Sequence, residues 1–283
     1  MASATLNEYA MSYLLPLYLY LFGVYHFLCV LLRTFLQNPL HPSSLSTTAS
    51  QSFGEAWAAL DEGDPYSGPL RNILPVLSTA SGTILEVGPG SGDQIRFLTN
   101  ENLNMAYGAE PCVVLHAPLE RAVQKAGLQE KYRILGCGAE RENLSEGLRS
   151  VGLLKGGEAV EKGVGVFDTI IAIRVLCSVN NPIDTVDFLY HLLKPGGRII
   201  VCEHVKNPWW QGTGSLMARF TQILYQSAGW SFFMGNCHLN RRTDDYLKMV
   251  GERYGGWEKV DLKTDGGFAV IPFVYGELVK RKK

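Results

Sequence analysis

No lysine, arginine, aspartate or glutamate stands between Glu8 and Arg33. About 22 residues at ~1.5 Å per residue reach roughly 30 Å, the thickness of a bilayer's hydrocarbon core. No basic residue precedes the stretch and no small-residue cleavage site follows it, which argues against a cleaved signal peptide. The chain also has little net charge: 26 Lys and Arg against 27 Asp and Glu leave -1. No global field favours nucleic acid or an acidic partner. The one basic cluster, "VKRKK" at the C-terminus, reads as a solvated tail. None of the six cysteines (29, 112, 137, 177, 202 and 237) forms a CxxC pair, so no metal site is expected and the thiols read as reduced, in a cytosol-facing domain. No internal repeat is visible.

What is present divides in three. Residues 1–36 are an apolar membrane anchor, with tyrosines suited to the interface. It either spans the bilayer once or lies in it, although Pro16, Gly23 and His26 interrupt its apolar character. Arg33 after the apolar run, with Glu8 before it, places the following domain on the cytoplasmic side. Residues 37–52, rich in Pro, Ser and Thr, read as a linker. Residues 53–283 form the folded domain. Its strand candidates are 83–87, 104–110, 132–137, 167–176 and 198–205, with helical stretches at 114–125 and 182–193 between them. Continuous apolar strands alternating with helices predict an α/β fold, a doubly wound and mostly parallel sheet. Short helices are expected at 52–60 and 69–78, and a loose insertion at 156–165. Residues 207–242 form an aromatic cap, helical over 209–234. Two β-type runs, "WEKVDLKT" and "FVYGELVKR", close the chain as an antiparallel pair.

The segment "EVGPGSGDQ" (86–94) follows the first strand and is expected to open a helix. Glycines at 88, 90 and 92 let a ligand approach the backbone, and a helix N-terminus would offer free N–H groups. Dinucleotide enzymes carry G-x-G-x-x-G at this point; here Asp93 stands where their third glycine falls. A nicotinamide-dependent oxidoreductase therefore remains only as an alternative. Glu110, ending the second strand, has the placement of an acid that accepts both ribose hydroxyls.

The G-x-G-x-G form with Glu86 ahead of it resembles the first motif of the class I S-adenosylmethionine-dependent methyltransferases. Across nearly the whole chain, "VLCSV" (175–179), "LKPGGRIIVCEHV" (193–205) and "GNCHLNR" (235–241) resemble the small membrane-anchored methyltransferase-like proteins that methylate thiols. The chain departs from that group at Pro89, where a cysteine is common, in the glycine-rich insertion and in the helix after Glu110. The resemblance implies a seven-stranded Rossmann-like sheet and S-adenosyl-L-methionine as cofactor. It implies cofactor contacts at Glu86, Gly88, Gly90, Gly92 and Glu110, adenine contacts at Ala139 and Glu140, and a border on the methionine portion at Arg174 and Val175. A membrane location of endoplasmic reticulum or lipid-droplet type, and a small lipophilic acceptor, are expected. A catalytically altered, cofactor-binding membrane protein is the other alternative.

Methyl transfer from a sulfonium is an in-line displacement, so alignment does most of the work. A thiol is already partly ionised near neutrality, a hydroxyl needs a base, and an amine needs only to be neutral. Sulfur, oxygen and nitrogen acceptors all stay open here. His204 and His238 are the candidate bases; either is equally a packed, hydrogen-bonded histidine.

Overall fold

The computed structural model describes residues 5–39, 44–60, 69–154 and 165–282. Seven strands form one sheet: β1 (Gly82–Val87), β2 (Leu103–Ala109), β3 (Tyr132–Leu135), β4 (Phe167–Ile173), β5 (Leu193–His204), β6 (Trp257–Asp265) and β7 (Phe273–Lys280). Their order is β3-β2-β1-β4-β5-β7-β6. The first five are mutually parallel; β7 runs antiparallel to β5 and to β6. The closing pair thus completes the main sheet, with Cys202 opposite Tyr275.

Apolar runs without polar alternation suit strands covered on both faces, and the side chains here divide accordingly. Leu85, Ile170, Ala172 and Val201 join one core with α5 (Arg141–Ser150), α6 (Pro182–Leu192) and α9 (Thr243–Arg253). Ile84, Ile171, Ile173 and Ile200 join a second core with α3 (Leu74–Leu77) and α4 (Val113–Lys125). Phe167 and Phe188 are fully buried; truncating either to alanine is worth about 3–5 kcal/mol.

The N-terminal segment differs from the expectation at one point. Residues 45–52 are not linker: α2 (Leu45–Ala59) begins inside it. Ser44 caps that helix by accepting the Thr47 N–H at 3.1 Å. Its small residues Thr48, Ala49 and Ser52 are buried, which suits close contact with α1 (Leu6–Gln37). Residues 40–43 lie outside the described residues, as do 155–164 of the expected insertion.

Helix α1 is long and apolar enough to cross a membrane, yet it lies along the domain. Tyr9 stacks on Phe268 at 6.0 Å, and the Tyr20 hydroxyl donates to the Ala228 carbonyl at 2.7 Å. Phe27 packs between Phe232 and Phe233, and Arg33 pairs with Glu55 at 2.5 Å. From Tyr9 to Arg33 that is roughly 36 Å of helix at ~1.5 Å per residue. Its outer side exposes Leu14, Tyr18, Leu21, Tyr25, Leu28 and Leu32, an apolar stripe of helical period.

Two further expectations are corrected. No α-helix follows the glycine loop; a 3-10 turn, Ile95–Phe97, stands in its place. Only ten residues separate Gly92 from Leu103, and Asn100 ends the turn by accepting the Asn102 N–H at 2.9 Å. The cap is not one helix either. Gly212 and Gly229, both at positive φ, divide it into a 3-10 turn (Trp209–Gln211), α7 (Leu216–Ser227) and α8 (Trp230–Phe233). Helix α7 exposes Leu216, Met217, Phe220, Ile223 and Leu224.

Candidate functional site

Chain connections run outward from β1 through β2 to β3, and then from β4 to β5 on its other side. The crevice at the carboxyl ends of β1 and β4 is therefore the switch point where open α/β sheets take ligands. The glycine loop fills its floor. Gly88 has φ 59° and donates its N–H to the Ala109 carbonyl at 2.9 Å. A Cβ there would stand 2.5 Å from Val175 Cγ2, so glycine is required by both conformation and space. Gly90 has φ 61°, and its N–H donates to Glu110 Oε2 at 2.9 Å. Gly92 packs against Ala122 and Leu119 of α4.

Glu110 lies at the exit of β2, 5% exposed, and holds the loop. Its Oε1 accepts the Cys112 N–H at 2.9 Å while Oε2 accepts that of Gly90. Burial raises its pKa, and the two amide bonds act in the opposite sense. Each carboxylate oxygen keeps a further lone pair, so Glu110 can still accept two hydroxyl donors. That donor-acceptor balance fits a ribose.

Val175 forms the opposite wall. Glu203 Oε1 accepts the N–H groups of Val175 at 2.8 Å and Leu176 at 2.9 Å, fixing the loop after β4. Arg174 precedes it at φ 55°, a conformation that costs a non-glycine residue about 1–2 kcal/mol. There its guanidinium lies over the Trp57 ring at 5.1 Å and 3.5 Å from Asp93. Trp57, from α2, reaches over Gly90: its Nε1 is 3.0 Å from where a Cβ would stand. The loop, Glu110 and Val175 thus come together at one point.

Glu86 lies beneath the glycine loop. Its carboxyl is fully buried, and Tyr132 donates its hydroxyl to Oε2. The reason is register. Glu86 is opposite Gly108 on β2, and the missing Cβ at Gly108 leaves room for the Tyr132 hydroxyl to cross. Burial pushes the Glu86 carboxyl up to about 7, although the Tyr132 bond lowers it. The carboxyl meets Tyr132 below and Gln94 of the loop above, and its Oε1 has no hydrogen-bond partner. Ala139 is buried against the core, and Glu140 precedes α5 and accepts from Asn180 at 3.2 Å. Both follow β3, and among the described residues neither makes a hydrogen bond to the glycine loop.

His204 ends β5, and His238 lies in the segment between α8 and α9, where its N–H donates to the Cys177 carbonyl at 2.9 Å. His204 is 6% exposed, with Nε2 3.0 Å from Cys237 Sγ and Nδ1 without a partner. His238 is half-buried between Gln226 at 3.3 Å and Asn236 at 3.2 Å. Burial, and then Arg241, lower its pKa. Neither imidazole is oriented by a carboxylate hydrogen bond among the described residues.

Sequence reasoning missed Trp57, the Arg174–Asp93 pair and the Tyr132–Glu86 bond. Tyr132 was in principle legible, since a glycine inside a buried strand asks for a large neighbour. It also missed the approach of Cys177 and Cys237 to His204, which come from three separate segments.

A seven-stranded sheet of this order, with a glycine cradle at its switch point and an acid ending β2, defines a class I S-adenosylmethionine-dependent methyltransferase. A family described as methyltransferase domain matches residues 65–255, and the chain belongs to it. Its cofactor is S-adenosyl-L-methionine. Over 116 residues it is 34% identical to thiol S-methyltransferase TMT1B of Rattus norvegicus, spanning 40% of this chain and 44% of that protein. This match thus spans less than half of the relative's length. The [4+2]-cyclase SpnF is 14% identical over 84% of this chain and 93% of its own, with a TM-score of 0.52. The N-methyltransferase NodS of Bradyrhizobium japonicum, solved with S-adenosyl-L-homocysteine, is 12% identical over 82% and 98%, with a TM-score of 0.50. At these identities the likeness to the solved structures is one of fold.

Proposed function

We propose that the chain transfers a methyl group from S-adenosylmethionine to the sulfur of a small lipophilic thiol, at the cytoplasmic surface of a membrane of endoplasmic reticulum or lipid-droplet type. Bound S-adenosylmethionine supplies a methyl carbon already activated by its sulfonium. The protein's part is then to orient and to exclude water. Gly88, Gly90 and Gly92 offer backbone, Glu110 accepts the ribose hydroxyls, and Ala139 and Glu140 flank the adenine. Val175, pinned by Glu203, borders the reacting end. Trp57 covers the loop.

The thiol is favoured by what surrounds the two histidines. An alcohol needs a strong, carboxylate-supported base, and neither His204 nor His238 has that support among the described residues. A thiol with pKa near 8.5 ionises without one. The 34% identical thiol methyltransferase supports the same reading. His204 and His238 remain the residues proposed to take up the acceptor's proton.

The observation that carries the lipophilic, membrane-borne part is the exposed apolar stripe of α1 beside that of α7. Tyr20 joins them, its ring 5.9 Å from that of Tyr225 and its hydroxyl on Ala228. A helix docked over roughly 36 Å of the domain is placed to lie in one leaflet rather than to cross both. The test uses alkanethiols with their alcohol and amine counterparts, and follows S-adenosyl-L-homocysteine release by the full chain in vesicles. Turnover of the thiols alone, with KM falling as the alkyl chain lengthens, is expected; equal turnover of the alcohols would overturn the reading.

A further inference from the structure

Among the described residues, one group of three cysteine and histidine side chains has the composition of a metal centre. It is Cys177, His204 and Cys237, whose ligand atoms all lie within 4.8 Å of one another. We propose that these three residues bind a zinc ion and leave its fourth position open to the acceptor thiol. The role of the open position rests on the thiol methyltransferase reading; the ion site itself does not.

The geometry supports this first. Zinc bonds of about 2.3 Å to sulfur and 2.0–2.1 Å to nitrogen set tetrahedral ligand separations of roughly 3.5–3.8 Å. His204 Nε2 stands 3.0 Å from Cys237 Sγ, and all three ligand atoms lie within 4.8 Å of one another, close enough for a small shift to reach that span. Hydrogen bonds fix the segments that hold the ligands. His204 ends β5, and Cys177 follows the loop that Glu203 pins. The Cys177 carbonyl accepts the His238 N–H at 2.9 Å, joining it to the segment that carries Cys237. Trp230 donates its indole N–H to Cys237 Sγ at 3.2 Å, a bond suited to a thiolate.

Polar satisfaction points the same way. Two thiols and an imidazole are gathered in a mostly buried place, Cys177 at 2% and His204 at 6% exposure. His204 Nε2 meets Cys237 Sγ, Cys177 Sγ meets the Ser178 hydroxyl at 3.5 Å, and His204 Nδ1 has no partner. Such a cluster is costly as a structural feature. With zinc, two thiolates and a neutral imidazole sum to zero charge, which suits burial. Arg241, whose Nη1 donates to the Leu176 carbonyl at 2.7 Å, then offsets the further negative charge of a bound thiolate. Three protein ligands with one open position is the arrangement of catalytic rather than structural zinc.

The position is also right. Cys177 is two residues beyond Val175, which touches Gly88 in the crevice. With the ion bound, His204 is a ligand and takes up no proton; the acceptor R–SH gives its proton to His238, and its sulfur takes the open position. That sulfur's electron pair then forms the new C–S bond as the methyl–sulfonium bond breaks. R–S–CH3 leaves the metal, and S-adenosyl-L-homocysteine leaves the crevice.

The experiment measures zinc in the full chain, purified in detergent with a non-thiol reductant and dialysed against excess zinc. About one equivalent is expected, falling at least tenfold in Cys177→Ser/Cys237→Ser. The affinity for S-adenosyl-L-homocysteine is measured on the same samples and is expected to be unchanged, which shows that the variant folds. Because the variant can also fail to fold, the wild-type chain is loaded with cobalt(II) as well. Thiolate-to-cobalt charge-transfer bands in the near ultraviolet are expected. A wild-type chain with less than a tenth of an equivalent of zinc and no such bands overturns the proposal, as does zinc retained by a folded double variant. A chain that holds zinc but binds no S-adenosyl-L-homocysteine keeps the site and refutes the methyltransferase reading instead.

Discussion

Replacing Glu110 by glutamine tests the cofactor grip where it is most constrained. Both carboxylate oxygens already accept a backbone N–H at 2.9 Å, from Gly90 and from Cys112. Glutamine supplies one oxygen and one NH2, so whichever way it turns, one buried N–H faces a donor. Leaving such a group unsatisfied costs about 1–3 kcal/mol. For a chain of this size that lowers the melting temperature by roughly 2–4 °C per kcal/mol. The ligand loses more. A hydrogen bond to a charged acceptor is worth about 1.5–3 kcal/mol, which weakens binding by about 10- to 150-fold. Titration calorimetry with S-adenosyl-L-homocysteine, on the full chain in detergent, reads this directly. Glu140→Gln, away from the glycine loop, is expected to weaken binding less. A folded Glu110→Gln protein that binds within twofold of wild type refutes the assignment of Glu110.

Three more outcomes follow from packing and charge. Gly88→Ala forces a side chain into positive φ, about 1–2 kcal/mol, and against Val175 at 2.5 Å; adding Val175→Ala should recover part of the loss, with a coupling of at least ~0.5 kcal/mol in a denaturation double-mutant cycle. Glu86 ionises near 4.5 when unfolded but at about 7 when folded, so its contribution is present below the unfolded value and lost as pH rises through the folded one. Relative to wild type, Glu86→Gln should therefore gain roughly 2–3 kcal/mol in unfolding free energy between about pH 5 and about pH 8; no change with pH contradicts the burial argument. The Arg33–Glu55 pair is partly exposed, at 47% and 28%, so Arg33→Ala should cost at most about 1 kcal/mol, read as a melting shift of a few degrees.

How far the sequence spoke depends on the range of the forces involved. Strand runs such as 83–87 and 167–173 were legible because burial on both faces leaves an unbroken apolar signature, and local glycine chemistry marked the loop. The helix after the loop was misread, since a glycine turn followed by "DQIRFLTN" looks the same before an α-helix and before a short 3-10 turn. Residues 45–52 were misread because small polar residues serve a linker and a close helix contact equally well. The motif marks Glu86, but its bond to Tyr132 under Gly108 comes from strand register. Trp57 over Gly90, and the meeting of Cys177, His204 and Cys237, depend on contacts between distant segments. No local pattern encodes them.

The central claim is methyl transfer to sulfur, and product analysis after incubation with methyl-labelled S-adenosylmethionine and a mixed set of lipophilic thiols, phenols and amines tests it most directly. Label is expected on sulfur, matched mole for mole by S-adenosyl-L-homocysteine. Label on oxygen or nitrogen, or a chain that binds the cofactor product and transfers no label at all, would contradict it.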